Sequence, residues 1–497
     1  MDLLIKGGFV VTMNPKNDIL DRADVAVKHD RISYVGPPRP WPEGSFEKVI
    51  PGEHMILIPG LINAHYHSTQ NLIRGMFYRF PLEIWRQYFR GVLRTYDWNA
   101  LHLSAMLGCI EMLRTGVTTV LDHFDSPVQA DFKGVDAPMK AYTDSGMRAV
   151  VAYTLSDRKY EDTIPIEKNR LDADSITVLN QITADEAKST EDTVKECKNF
   201  LDTFRNTHPR INPILGPSAP QRCTDELLKA VRKMAREHGI GLHIHVGETR
   251  TQALHAHRIY NQRSLIQHLQ DIGFLGPDVA MAHGIWIPEE DLKLLSENGT
   301  SVVHNPASNL KLGSGLASVR TMLRHGVNVA VATDGAASND SLNMFEAMKL
   351  AALIHNLTSR DYRDWISPLE AFRMGTTNGA KVCGLEREIG SIEEGKAADL
   401  VLLKKQSYSL LPLNDAIGQL VFSENGSSVT TVIVAGEIVV ESGRLTKIDE
   451  KKIYSEAVAL RQDIDEEVKS GLKKTSALEP GLRQMYFDMV KKEQTES

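Results

Sequence analysis

Four cysteines (Cys109, Cys197, Cys223 and Cys383) are all that the 497 residues contain, and none stands in C-x-x-C spacing. Their scarcity excludes a disulfide framework and a thiolate metal site, and it suits a reducing compartment. No run approaches the ~18 consecutive apolar residues of a membrane span. The start, Met1-Asp2-Leu3-Leu4-Ile5-Lys6-Gly7-Gly8, has neither the basic segment nor the long apolar segment of a secretory leader. The expectation is a cytoplasmic protein with no membrane partner. Lys and Arg number 57 against 64 Asp and Glu, for a formal net charge of -7. Without a basic run or an aromatic-interleaved basic patch, a small molecule is a simpler partner than nucleic acid. No G-x-G-x-x-G follows an early strand, so the dinucleotide site of an open doubly wound sheet is missing too.

What is present is an alternation. The first ~50 residues are short β-like runs broken by Gly, Pro and Asn turns. The same texture returns in Ala398-Asp399-Leu400-Val401-Leu402-Leu403 and in Val429-Thr430-Thr431-Val432-Ile433-Val434, where Ala435-Gly436-Glu437 reads as a hairpin turn. Between these ends, eight apolar runs alternate with helical patterns: 56–63, 117–122, 147–154, 211–217, 241–246, 279–283, 301–304 and 328–334. That order predicts an α/β protein, a (β/α)8 TIM barrel, with chemistry at the C-terminal ends of its strands. One helix shows the grammar clearly. Thr224 caps it, Asp225 and Glu226 open it, Leu227, Leu228, Val231 and Met234 form a stripe, and Gly239 stops it. The expected division is 1–55 and 385–445 as two parts of one small β-sandwich, 56–384 as the barrel, and 446–497 as a helical extension. In that extension Ile453, Ala457, Leu460 and Ile464 recur at helical spacing. The polar stretch 157–196 reads as an insertion near the barrel mouth.

Titratable residues gather at the predicted strand ends. His65 and His67 flank Tyr66, and the period of two in a strand points both imidazoles the same way, as ligands of one ion must. A lone H-x-H is as often two unrelated histidines; context decides. A second pair, His243-Ile244-His245, ends the fifth run, with His245 at the outer depth for a metal and His243 as interior packing. Glu248 follows in the loop, where a carboxyl can relay protons, although an acid in a first helical turn is common for dipole reasons alone. His283 ends the sixth run, His304 the seventh and Asp334 the eighth. Three imidazoles and a carboxylate suit Zn2+ and would accept Fe2+. Such an ion makes hydroxide available near neutral pH. Glu248 could then pass a proton to a ring nitrogen, His283 could orient the attack, and Asp334 could both ligate and collect a proton. His304 is placed behind the site.

Pro59-Gly60-Leu61-Ile62-Asn63-Ala64-His65-Tyr66-His67, His243-Ile244-His245-Val246-Gly247-Glu248-Thr249, Ala282-His283-Gly284, the run from His304 to Gly315 and Thr333-Asp334-Gly335-Ala336-Ala337-Ser338 together resemble the amidohydrolase superfamily. The nearest resemblance is to its aminohydrolase and chlorohydrolase branch, which holds methylthioadenosine and S-adenosylhomocysteine deaminases, guanine and pterin deaminases, and triazine hydrolases. It covers nearly the whole chain. The resemblance implies a distorted barrel with a small β-sandwich, and one Zn2+ or Fe2+ on His65, His67, His245 and Asp334. It also implies Glu248 and His283 as the acid-base and orienting pair, and a homodimer or larger assembly. Ser218-Ala219-Pro220, where binuclear relatives place a lysine, is consistent with one metal.

Hydrolytic deamination of an amino-substituted heterocycle is the leading reading. Removal of chloride or an alkylamine from a triazine-like ring, and nucleoside deamination, stand beside it; a silent scaffold is disfavoured by the intact set. Nucleoside deaminases of this kind are expected to carry an acid in the helical region after the first H-x-H and an arginine after strand three, where this sequence offers Arg94 and Tyr153. A compact purine, pterin, pyrimidine or triazine is therefore favoured. Gln70, Trp85, Phe124 and Ser338 are the candidates for its pocket, with core packing an equal account of Trp85 and Phe124.

Overall fold

The computed structural model describes residues 2–125, 132–159, 162–164, 176–179 and 188–496. Five strands open the chain: β1 (Leu3–Val11), β2 (Ile19–Lys28), β3 (Arg31–Gly36), β4 (Lys48–Pro51) and β5 (Met55–Pro59). Eight follow in the middle: β6 (Leu61–Tyr66), β7 (Val117–Phe124), β8 (Arg148–Leu155), β9 (Ile211–Pro217), β10 (Leu242–Val246), β11 (Val279–His283), β12 (Ser301–His304) and β13 (Val329–Val331). Four close the β-structure: β14 (Leu400–Lys404), β15 (Val429–Val434), β16 (Glu437–Glu441) and β17 (Arg444–Leu445).

The two chain ends build one nine-stranded sheet in the order β17-β16-β15-β14-β5-β1-β2-β3, with β4 paired to β1. They meet where β14 lies antiparallel to β5. Alternation along β14 gives the sheet two apolar faces. Leu400 and Leu402 join Leu3, Ile5, Val25 and Ile433 in the sheet's own core, while Val401 and Leu403 join Ile56 and Ile58 against the barrel. In the turn between β15 and β16, Ala435 (φ 49°) and Gly436 (φ 73°) are both left-handed, as a tight hairpin demands.

The eight middle strands form a parallel sheet in chain order, each pairing with the next. This is the expected TIM barrel, with two differences in its first and last strands. The run 56–63, read as one strand, is divided at Gly60: β5 stays in the accessory sheet and β6 enters the barrel. A Cβ on Gly60 would collide with the Thr118 side chain, so the crossing requires glycine. The last strand is regular only over Val329–Val331, and its seam with β6 is made largely by side chains. Asn63 Oδ1 accepts from the Thr333 amide at 3.1 Å and its Nδ2 donates to Thr333 Oγ1 at 2.7 Å.

Helices cover the barrel as patterned. The Thr224 hydroxyl accepts from the Leu227 amide at 3.2 Å, the helix runs Asp225–His238, and Gly239 ends it at φ 61°. Much of 157–196 lies outside the described residues, but Thr190–Phe204 is a helix capped by Ser189, so the regular part begins earlier than the polar composition suggested. The tail forms helices Glu450–Asp463, Asp465–Ser476 and Glu479–Glu496. No helix among the described residues is long and apolar enough to cross a membrane. The four cysteines are free, and burial pushes the Cys109, Cys223 and Cys383 thiols up to about 12.

Barrel and sheet are tied by a buried ion pair. Arg148, opening β8, donates through Nε and Nη2 to the two carboxylate oxygens of Asp399, both at 2.9 Å. Removing one partner would leave the other charged and buried. Asp399→Ala is therefore expected to cost about 3 kcal/mol or more in chemical denaturation; a loss below about 0.5 kcal/mol, the scale of an ordinary surface change, would contradict this role.

Candidate metal centre and active site

His65 on β6 and His67 just beyond it point to the same side, while Tyr66 between them points away, its hydroxyl accepting from Asn71 Nδ2 at 2.6 Å. His245 comes from the end of β10 and Asp334 from the turn after β13. Asp334 Oδ1 lies 3.5 Å from His65 Nε2 and 3.4 Å from His67 Nε2, and the Nε2 atoms of His67 and His245 are 3.4 Å apart. The outer faces of two imidazoles are fixed from behind. His67 Nδ1 lies 2.7 Å from the His123 carbonyl and His245 Nδ1 lies 2.8 Å from the Ser218 carbonyl. Carbonyls only accept, so each Nδ1 carries a proton and each Nε2 is the nitrogen left to face an ion.

Both ring nitrogens of His65 are buried with no hydrogen-bond partner among the described residues. A buried polar atom left so is costly unless something binds it. An N3O donor set with an orphaned imidazole fits one divalent first-row ion. Burial lowers His65 to about 4 and holds His245 well below its usual value, so both are neutral and ready to ligate. Burial also acts to lower His67, but the carboxylates of Asp125 and Asp334 outweigh it and raise the ring, so that a cation at its Nε2 displaces a proton. Asp334 is held well below the usual carboxylate range: burial opposes this, but the His65 ring 3.5 Å away and the other surrounding imidazoles prevail.

Glu248, in the loop after β10, is buried, and that burial raises its carboxyl. Its Oε1 is 3.7 Å from His283 Nε2. The other ring nitrogen of His283 lies 3.0 Å from Asn309 Oδ1 and 3.3 Å from Asn305 Nδ2, which holds the ring plane. Asp334 is anchored in the same way, Oδ2 accepting from Ser308 Oγ at 2.6 Å and Oδ1 from the Gly335 amide at 2.7 Å. Both His283 (φ 71°) and Asp334 (φ 62°) are left-handed, a conformation uncommon outside glycine and concentrated at functional sites.

These groups open into a cavity that His67, His245, Glu248, His283 and Asp334 all line. Gln70, Trp85 and Ser338 line it as well. Gln70 accepts from the Ala337 amide at 3.2 Å, and Trp85 stacks on Phe89 at 5.2 Å between centroids. Phe124 does not reach it: the side chain is 0% exposed in the core, because on β7 it faces outward and its neighbour His123 faces in. His243 is interior as read, stacked on His65 at 4.9 Å with Nδ1 3.0 Å from His123 Nδ1. His304 lies behind the site, 3.3 Å from His355 Nε2 to Nε2.

Arg94 and Tyr153 do not line this cavity; they face neighbouring clefts. The polar groups that do, and that sequence reasoning missed, include Glu83, Arg86, Arg222 and Gln252. Glu83 is 2% exposed; its Oε1 accepts from Thr249 Oγ1 at 2.7 Å, and its Oε2 has no partner among the described residues. The available signal was Glu83 preceding Trp85 on one helix, obscured because a first-turn acid has a ready explanation in the helix dipole.

A parallel barrel with an N3O cluster and a buried carboxyl at the strand C-termini is the plan of a metal-dependent hydrolase. The chain belongs to the amidohydrolase family, whose model matches residues 56–439. It is 33% identical over 94% of its length to a 5'-deoxyadenosine deaminase of Methanosarcina mazei, all of which is covered. Among solved structures it superposes on an adenosine deaminase from Xanthomonas campestris with bound zinc, with TM-score 0.82, 28% identity, and 93% of this chain and 98% of that one covered. An atrazine chlorohydrolase from Arthrobacter aurescens complexed with zinc gives TM-score 0.84 and 25% identity over 92% of this chain and 99% of that one.

His245→Ala is expected to lower metal content severalfold by elemental analysis while the circular dichroism spectrum stays that of the parent. Full occupancy in the variant would remove His245 from the ligand set.

Proposed function

We propose that the protein hydrolytically deaminates an amino-substituted purine carried on an adenosine-type nucleoside, with one divalent ion, zinc foremost, held by His65, His67, His245 and Asp334. The observation that carries the reading is the approach of three imidazoles, His65, His67 and His245, to one anionic carboxylate, Asp334, beside a buried carboxyl, Glu248. A divalent ion in such a donor set supplies a hydrolytic nucleophile near neutral pH.

The residues then divide the work. Glu248, raised by burial, is the better proton carrier and stands where it can protonate a ring nitrogen and later the leaving amine. The imidazoles that hold Asp334 low favour its role as a ligand over that of a proton acceptor, the two tasks that sequence reasoning had given it together. His283, held by Asn305 and Asn309, orients the attack and stabilises developing negative charge. Trp85 and Phe89 offer flat apolar faces to a ring.

The nucleoside is favoured over a bare ring because Arg94 and Tyr153 line other clefts, while an acid, Glu83, lines this one. Glu83 presents a buried oxygen without a partner, and sugar hydroxyls would satisfy it. The names of the Methanosarcina and Xanthomonas proteins point the same way. A second reading, displacement of chloride from a triazine-like ring, is supported by the likeness to the atrazine enzyme.

Incubating metal-loaded protein with 5'-deoxyadenosine and adenosine is expected to release one ammonia per nucleoside, with Glu248→Gln retaining metal and losing at least ~100-fold in kcat. Chloride release from a chlorotriazine with no ammonia from any nucleoside would replace deamination by the second reading, and an unchanged rate in the variant would take Glu248 out of the mechanism.

A further inference from the structure

The run from His304 to Gly315 contains a short helix, Pro306–Lys311, and that helix reaches the site from three positions. Ser308 Oγ donates to Asp334 and Asn309 Oδ1 faces His283, as described above. Lys311, the last residue of the helix, touches neither of these groups. Its Nζ donates to the Ala337 carbonyl at 3.0 Å and to Asp340 Oδ2. The other oxygen of Asp340 accepts from the Gly75 amide at 2.8 Å. One ammonium therefore joins the helix, the turn that follows Asp334 and the segment that follows the first H-x-H.

The residue it grips is the anchor for side chains that face the substrate. The Ala337 amide donates to Gln70 Oε1 at 3.2 Å, and the Ala337 carbonyl lies 3.4 Å from Trp85 Nε1. The Gln70 amide group packs so close to Gly335 that a Cβ there would collide with it. Ser338 belongs to the same turn, its Oγ donating to the Gly335 carbonyl at 3.0 Å. Gln70, Trp85 and Ser338 line the catalytic cavity, and Lys311 stands behind them. Asp340 occupies the left-handed region at φ 68°, a conformation that a residue with a side chain keeps only where its surroundings impose it. Lys311 and Gly75 are those surroundings.

We propose that Lys311 is a positioning residue for the substrate-facing half of the cavity, acting through Ala337 and Asp340 on Gln70, Trp85 and Ser338. Ser308 and Asn309 of the same helix serve the other half, which holds the metal ligand Asp334 and the orienting His283. The inference rests on the reading above only in taking this cavity as the substrate site. Charge and geometry support it. The Lys311 side chain is 18% exposed, and two of its three donors are spent on oxygens of a single turn. Hydrogen bonds from an ionised donor are about twice as strong as neutral ones. A guanidinium could reach the same two oxygens, whereas an apolar chain of equal length could hold neither.

Lys311→Met keeps the length of the side chain and removes the ammonium. With whichever compound the parent turns over, 5'-deoxyadenosine or a chlorotriazine, the variant is expected to raise KM about tenfold. Its kcat is expected to fall by much less, at full metal content, and Lys311→Arg is expected to recover most of the loss in KM. Hydrogen exchange provides a readout without substrate: peptides carrying Gly75 and Ala337 are expected to exchange faster in Lys311→Met, while those carrying the barrel strands β6 and β10 keep their protection. An unmoved KM, kcat and metal content falling together, or unchanged exchange at both Gly75 and Ala337 overturns the assignment. Loss of protection throughout the barrel, or no recovery in Lys311→Arg, also overturns it, by making Lys311 a residue of general stability. Turnover of neither compound by the parent removes the proposed function, and the exchange measurement then decides on Lys311 alone.

Discussion

The seam between the first and last barrel strands is the constraint on which the site depends. His65 and Asp334 are 269 positions apart in the chain, yet the Asp334 amide donates to the His65 carbonyl at 3.1 Å. The Asn63 side chain completes the closure on Thr333 where β13 is too short to do so by its ladder. Without that closure, a carboxylate from one edge of a parallel sheet could not lie within 3.5 Å of an imidazole from the other. Barrel closure and donor convergence are one geometric fact.

Around this point the protein maintains two opposed carboxyls. Glu248 is buried and raised, whereas Asp334 is buried and lowered, and the difference lies in how the imidazoles are placed. Such a separation of like groups by environment is how one site assigns acid-base and ligand roles at neutral pH. Its cost is visible in the backbone. His283 and Asp334 both occupy the left-handed region, worth on the order of 1–3 kcal/mol each for a residue with a side chain. The hydrogen bonds from Ser308 and the Gly335 amide to Asp334, and the contact of His283 Nδ1 with Asn309 Oδ1, keep them there.

The gathering of His65, His67, His245, Glu248, His283 and Asp334 at one end of the barrel was legible because a strand's period of two and a barrel's single reactive face leave little freedom: the two histidines of an H-x-H at a strand end point the same way. The same rule explains the failure at Phe124. It was chosen by its position in the chain, but its parity on β7 turns it outward, and His123 beside it holds the inward place. Glu83 stands in a first helical turn, where an acid has a local explanation, and only the tertiary fold, with the Thr249 hydroxyl donating to it, turns it to the site. The division of the first strand at Gly60 depends on how near Thr118 comes, a tertiary contact with no sequence pattern. Arg94 and Tyr153 misled for a related reason: proximity to a strand end or to the first H-x-H does not say which side of a helix or strand meets the cavity.

The central claim is that side chains from three separate stretches of the chain form a single mononuclear coordination sphere. X-ray absorption at the metal edge of the purified protein tests it most directly. The account predicts one ion per chain, with nitrogen and oxygen neighbours at about 2.0–2.2 Å that include imidazole scattering. A second metal scatterer at about 3.5–4 Å, or a sulfur shell at about 2.3 Å, would contradict it.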